Sequence, residues 1–189
     1  TPEMSSEEIA RIVRDASGKV PFAVGLNNHM GSKMTSSLPG MQKVMQVLNQ
    51  YNYYFLDSMT IGNSQSIPAA QGTHVKVLKR RVFLDDSQNE ASIREQFSRA
   101  VKLAQRDGYA IAIGHPHPTT VRVLQQMLPS LPSDITLVRP SQLLNEPVHQ
   151  GKTPTTTDKS PAPKFRAPAV RKVSKPLPPV PQRRAVQIV

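Results

Sequence analysis

Three histidines stand where β-strands are expected to end. His29 lies in Asn27-Asn28-His29-Met30-Gly31-Ser32, directly after the short apolar run at 22–26. His115 and His117 lie in Gly114-His115-Pro116-His117-Pro118, directly after Tyr109-Ala-Ile-Ala-Ile113. Asp57-Ser58 follows the apolar run 53–56, and Asp85-Asp86 follows 81–84. In parallel α/β folds, ligands and catalytic groups collect at the carboxyl ends of the strands. Four strands thus deliver polar or ionisable side chains to one rim. Neutral imidazoles and a carboxylate suit Zn²⁺ or a related divalent ion in an open site, where the pKa of water falls towards ~7. A further imidazole can then protonate a leaving amine.

Each piece also has an ordinary structural reading. A lone His29 can be a hydrogen-bonded structural histidine, and Asp57 can cap a turn. Asp85-Asp86-Ser87 reads best as the approach to the next helix, where carboxylates suit the helix dipole. The local spacing is no metal signature, because position 33 is Lys33 and gives no His-x-x-x-His pair. His115-x-His117 on a proline-rich turn points two rings apart more easily than at one ion. What weakens these readings is their coincidence, since unrelated turns have no reason to put three histidines and an aspartate on one edge.

The elements that would position these groups alternate in type. Ser5 and Glu8 form a capping box before a helix with Ile9, Ile12, Val13 and Ala16 on one face, and Gly18 supplies its stop. Pro39 suits the first turn of a second helix carrying Met41, Val44, Met45 and Leu48 on one stripe. Asn89 caps a helix running to about 106, with Ile93, Phe97, Ala100, Val101 and Ala104 inward and Gly108 closing it. Shorter helices are expected around 68–71 and 120–128. Strands are expected at 22–26, 53–56, 75–78, 81–84, 109–113 and 135–138. Apolar strands alternating with amphipathic helices specify a largely parallel sheet covered by helices, joined by right-handed crossovers. A complete (β/α)₈ barrel usually needs ~250 residues, more than are present.

Composition divides the chain of 189 residues. From Gly151 onward there are nine Lys or Arg against one Asp, and eight of the 18 prolines, with Phe165 the single aromatic. The net charge of +11 is therefore mostly the tail's, at +8, and the remainder carries +3. Such a tail cannot bury enough apolar surface to offset its ordering entropy, so 149–189 reads as disordered, with polyproline II character. A nearly neutral domain without a basic motif, and a tail with no stacking aromatic beyond Phe165, rank nucleic-acid binding last among the functions. No apolar run reaches the ~20 residues of a membrane span. The opening Thr1-Pro2-Glu3-Met4 lacks the basic and apolar regions of a signal peptide. With no cysteine, disulfides and thiolate metal sites are excluded.

Three strings in their order and spacing resemble the divergent polysaccharide deacetylases. They are Gly25-Leu-Asn-Asn-His-Met-Gly-Ser-Lys-Met-Thr35, Phe55-Leu-Asp-Ser58 and Ala112-Ile-Gly-His-Pro-His-Pro118. The resemblance covers about 3–146. It implies a partial or distorted (β/α) barrel of the NodB-like type over 1–148, in bacterial envelope proteins related to carbohydrate esterases. It also implies hydrolysis of an N- or O-acetyl group on a polysaccharide or peptidoglycan-like glycan, assisted by a divalent metal, with Zn²⁺ expected, in the periplasm or cell envelope. Carried over by position, His29 and Asp57 match the metal site, and Asp57 and His115 the catalytic groups. Asn28, Ser32 and His117 would line the substrate site.

Two departures bear on activity. Family members begin with a strand ending in Asp-Asp that supplies the base and a metal ligand, and the chain is expected to lack it, opening instead at a helix cap. Lys33 replaces the second histidine of the usual pair. The expected activity is thus a metal-dependent deacetylase, with a catalytically degenerate glycan- or envelope-binding protein as the alternative.

Overall fold

A computed structural model describes residues 1–145 and the backbone of a strand at 184–188. The helix α1, Ser6–Lys19, begins as its sequence dictates: Ser5 accepts from the Glu8 amide and Glu8 accepts from the Ser5 amide. It runs past Gly18, which therefore does not stop it. Strand β1 is Gly25–Asn27, followed by one short turn of helix, α2, at Ser32–Thr35. The helix α3, Leu38–Tyr51, is capped by Ser37 and carries Pro39 in its first turn. It ends at Asn52, whose left-handed φ of 56° suits a helix stop. Ile9 and Val13 of α1 join Met41, Met45 and Leu48 of α3 in one buried cluster with Phe55 and Val77.

Strand β2, Tyr54–Asp57, pairs in parallel with β1 on one side, Leu26 opposite Phe55. On the other side it pairs with β3, Val77–Lys79, Leu56 opposite Leu78. The short helix α4, Ser66–Ala70, lies between β2 and β3 in the chain. Strand β4, Val82–Phe83, then pairs in parallel with β5, Tyr109–Ile113. The Arg80 amide still donates to Asp57 of β2, while the next amide, Arg81, donates to Ile111 of β5. Residues 77–84 thus behave as one bent strand that changes partner at Arg80. That is how two parallel sheets bring their carboxyl ends to a common rim.

A second cluster packs α5, Glu90–Asp107, and α6, Pro118–Met127, against the sheet. It holds Val82, Leu84, Ile93, Phe97, Ala104, Ala112 and Val123. A third cluster, Leu56, Leu78, Ile111 and Leu143, spans both sheets on their other face. Asn89 caps α5 and Gly108, at φ 93°, closes it, as the sequence implies. Strand β6 is Ile135–Leu137.

The architecture is α/β with parallel sheets, as the alternation of strands and helices implies, and among the described residues the strands do not close into a barrel. A fifth-to-sixth strand gap is filled from the far end of the chain. Strand β7, Arg184–Ile188, pairs in parallel with β5 on one side and with β6 on the other. The expected disordered tail therefore does not extend over 184–188. Val186, Ile188 and Val189 are β-branched strand formers, too few to stand out after the basic, proline-rich stretch before them. The rest of that stretch, 146–183, lies outside the described residues. No described helix is long and apolar enough to cross a membrane.

Candidate metal centre

The rim gathers its groups at the ends of β4 and β5. Asp85 lies two residues beyond β4, with its side chain 1% exposed. His115 lies two residues beyond β5, with its side chain 45% exposed. The His115 amide donates to Asp85 Oδ2 at 2.5 Å, and the hydroxyl of Thr120, buried on α6, donates to the same oxygen at 2.9 Å. His115 Nδ1 lies 2.9 Å from Asp85 Oδ1. Burial alone would raise the Asp85 carboxyl, but the His115 side chain, the His115 amide and Thr120 outweigh it, leaving Asp85 below its ordinary value.

Gly114 makes this approach possible. A Cβ there would meet Leu84 at 3.1 Å and Thr120 at 3.4 Å, so a side chain would press on both neighbours beside Asp85. Beyond His115, the proline pair fixes the turn. The His117 amide bonds to the His115 carbonyl at 2.8 Å, and His117 becomes the residue before α6, with Pro118 in the first turn. This geometry brings the two imidazoles together rather than apart, with ring centroids at 5.7 Å. One donor atom each from Asp85, His115 and His117 lies within 4.8 Å of the others. Two nitrogens and a carboxylate oxygen form a donor set that suits Zn²⁺ or a similar borderline ion. His29, exposed on the loop after β1, lies beside this group, its ring centroid 6.2 Å from that of His115.

Asp57 is not brought into the group. It is fully buried, and Ser64 and Ser66 donate to its Oδ2 at 2.5 and 2.6 Å, while the Met59 amide donates to Oδ1 at 2.8 Å. A carboxylate so engaged by hydroxyls and an amide anchors the loop at 58–66, and its oxygens are not among the donors grouped at Asp85. Arg80 pins the same loop from its carbonyl side, donating to Ser58 and Met59 at 2.6 and 2.8 Å. Its guanidinium stacks 3.7 Å over the Phe83 ring.

Asn28 and Ser32 are also engaged in loop ties. Asn28 Oδ1 accepts from the Ser58 amide at 2.7 Å, its Nδ2 donates to Thr35, and its carbonyl accepts from the Ser58 hydroxyl. Ser32 donates to Thr60 at 3.0 Å. These two residues couple the loop bearing His29 to the loop built on Asp57. Asp85 is the residue that sequence reasoning misplaced. It makes no helix-approach contact, since Asn89 alone caps α5, and its donors come from β5 and α6. The signal was there in its position: it follows the strand that neighbours the one before His115. Thr120 carried no signal of its own.

The divergent polysaccharide deacetylase family matches residues 1–144. An uncharacterized protein of Escherichia coli K12, YibQ, is 62% identical over 190 residues, covering all of this chain and 60% of its own length. An uncharacterized protein of Haemophilus influenzae Rd is 44% identical over 135 residues, which is 71% of this chain and 48% of that protein. The chain therefore spans at most 60% of either relative. A crystal structure of an uncharacterized protein from Agrobacterium tumefaciens C58 superposes with a TM-score of 0.53 at 22% identity, over 55% of this chain and 42% of that one. At that identity the likeness concerns the fold. The match along 1–144 and the identity to YibQ agree, and the chain belongs to the divergent polysaccharide deacetylase family.

Proposed function

We propose that this chain carries the metal-binding part of a site that removes acetyl groups from an envelope polysaccharide. The observation that carries the proposal is the convergence of Asp85, His115 and His117 at the rim. The 2.9 Å between His115 Nδ1 and Asp85 Oδ1 suits a shared proton or a shared cation equally. Asp85, His115 and His117 would hold the ion. A bound divalent ion there supplies polarisation of an acyl carbonyl and a more acidic water.

The remaining work falls to the chain's own groups. Asp85 is held in place by the His115 amide and Thr120, which leaves its Oδ1 beside the His115 ring. His29, exposed and beside His115, is free to carry a proton to the leaving amine or alkoxide. Asp57 serves by positioning, because the loop it anchors is tied through Ser58 to Asn28, next to His29. A glycan-binding protein without activity is the second reading. It is favoured by the protein donors that already engage both Asp85 oxygens.

The test loads the protein with Zn²⁺, removes excess by dialysis, and measures bound metal beside acetate release from an N-acetylated chito-oligosaccharide. Wild type is expected to retain about one ion, and His115→Ala or His117→Ala to weaken retention by on the order of 100-fold. Metal retention unaltered in both variants would sink the proposed centre. Metal retained with no acetate released would favour the binding reading.

A further inference from the structure

Three non-glycine residues have positive φ among the described residues: Met30, Asn52 and Met59. Asn52 needs no further account, since it stops α3 and asparagine tolerates that region. Methionine does not, because its Cβ crowds the following carbonyl in a left-handed conformation. Met30, at φ 53°, follows His29 directly, and Met59, at φ 52°, sits on the adjoining loop.

The backbone around Met30 is held from both sides. Asn28 is tied to Ser58 and Thr35, and the Gly31 carbonyl accepts from both the amide and the hydroxyl of Thr35 at 2.8 and 2.7 Å. The Met59 amide and carbonyl are likewise held, by Asp57 and Arg80. The fold thus imposes a costly conformation on Met30 and in return leaves the residue 84% exposed. Neither half of that arrangement helps the folded chain: glycine would remove the strain, and a polar side chain would remove the exposed apolar surface. Strain that is over-determined by its surroundings points to a use at a functional site.

We infer that Met30 is a substrate-contacting, specificity-determining residue, an apolar platform for the C–H face of an acetylated sugar unit brought to the histidine rim. This rests on the reading of the rim as a glycan deacetylase site. An unbranched thioether adapts to an uneven apolar face, which suits a contact made by one flexible side chain. Covering it with a sugar removes its apolar surface from water, and that gain is available only in the complex.

Met30→Gly separates this use from a structural one, because the two make opposite demands. Glycine relieves the left-handed strain, so the variant is expected to melt roughly 2–4 °C above wild type. It is also expected to bind an N-acetylated chito-oligosaccharide roughly tenfold more weakly, while Met30→Leu stays within about twofold. Zn²⁺ retention is unchanged in both. In wild type, the oligosaccharide shifts the methyl resonance of Met30 together with the ring resonances of His115. A more stable Met30→Gly that binds the oligosaccharide as wild type does, or shifts at His115 without any at Met30, would overturn the inference and leave the deacetylase reading standing. A Met30→Gly that melts lower than wild type would overturn the strain argument. Silence at both His115 and Met30 would remove the deacetylase reading, and this inference with it.

Discussion

Asp57 and Asp85 are both buried aspartates at the carboxyl end of a parallel strand, yet they belong to different kinds of region. Asp57 is surrounded by two serine hydroxyls and an amide of its own following loop, all within nine residues along the chain. Asp85 is met by groups thirty or more residues away, one of them an imidazole that is itself half open to solvent. The first arrangement closes a loop on itself. The second joins two strands and a helix and keeps a reactive group facing outward. Position at a strand end is therefore insufficient to mark a working carboxylate; what distinguishes the two is whether a donor retains a free face toward a ligand.

The largest test of that contrast is Asp57→Ala. It leaves two hydroxyls and an amide without their acceptor in a buried place, and it removes the negative charge near Arg80. A loss of roughly 3 kcal/mol is expected. For a domain of this size that lowers the melting temperature by roughly 6–12 °C. Metal retention per folded molecule should be unchanged, because Asp57 is not among the donors grouped at Asp85, His115 and His117. Loss of metal from a still-folded Asp57→Ala protein would show that the two regions are one site and break the comparison.

Gly114→Ala acts on the other region and is expected to be milder. The added methyl meets Cδ1 and Cβ of Leu84 and the Thr120 methyl, contacts that must yield by a few tenths of an ångström. The cost in stability is about 1 kcal/mol. Its effect on metal retention should be larger than its effect on melting, since the displaced segment begins with the His115 amide that bonds Asp85. Equal or greater damage to stability, with metal retention intact, would show that Gly114 matters for packing alone.

How far the sequence anticipates all this follows from range. Signals local to a few residues carry through: the Ser5–Glu8 box, the Asn89 cap, the Gly108 stop and the apolar run of β5 lie within a few residues of their predicted places. Gly18 fails as a stop because packing of Ile9 and Val13 on α3 outweighs the modest propensity cost of glycine in a last turn. Strand ends at Asn27, Asp57, Ile113 and just before Asp85 are legible, and so is the rim they form. What the sequence does not contain is which donors meet which carboxylate. That depends on the change of partner at Arg80 and on the closeness allowed by Gly114, both properties of separate strands brought together. The strand at 184–188 escapes for the same reason, because its five residues gain meaning only from β5 and β6 on either side.

The subtlest test concerns protons. In the folded protein, burial raises the Asp85 carboxyl while the bonds from His115 and Thr120 lower it further, for a net depression. A depressed carboxylate stabilises the fold at pH values above its unfolded pKa of about 3.9, and that contribution is lost as pH falls through the lower, folded value. In metal-free protein the carboxyl carbon resonance of Asp85 should accordingly titrate below about 3.9. Thr120→Val removes one of the hydrogen bonds that cause the depression and should move the midpoint upward, with a cost of about 1 kcal/mol at neutral pH. A midpoint at or above the ordinary aspartate value would mean that burial prevails and that the His115 and Thr120 bonds do not hold the carboxylate ionised. Asp85 would then resemble a buried group awaiting a partner, and the distinction drawn from its donors would have to rest on a bound cation instead.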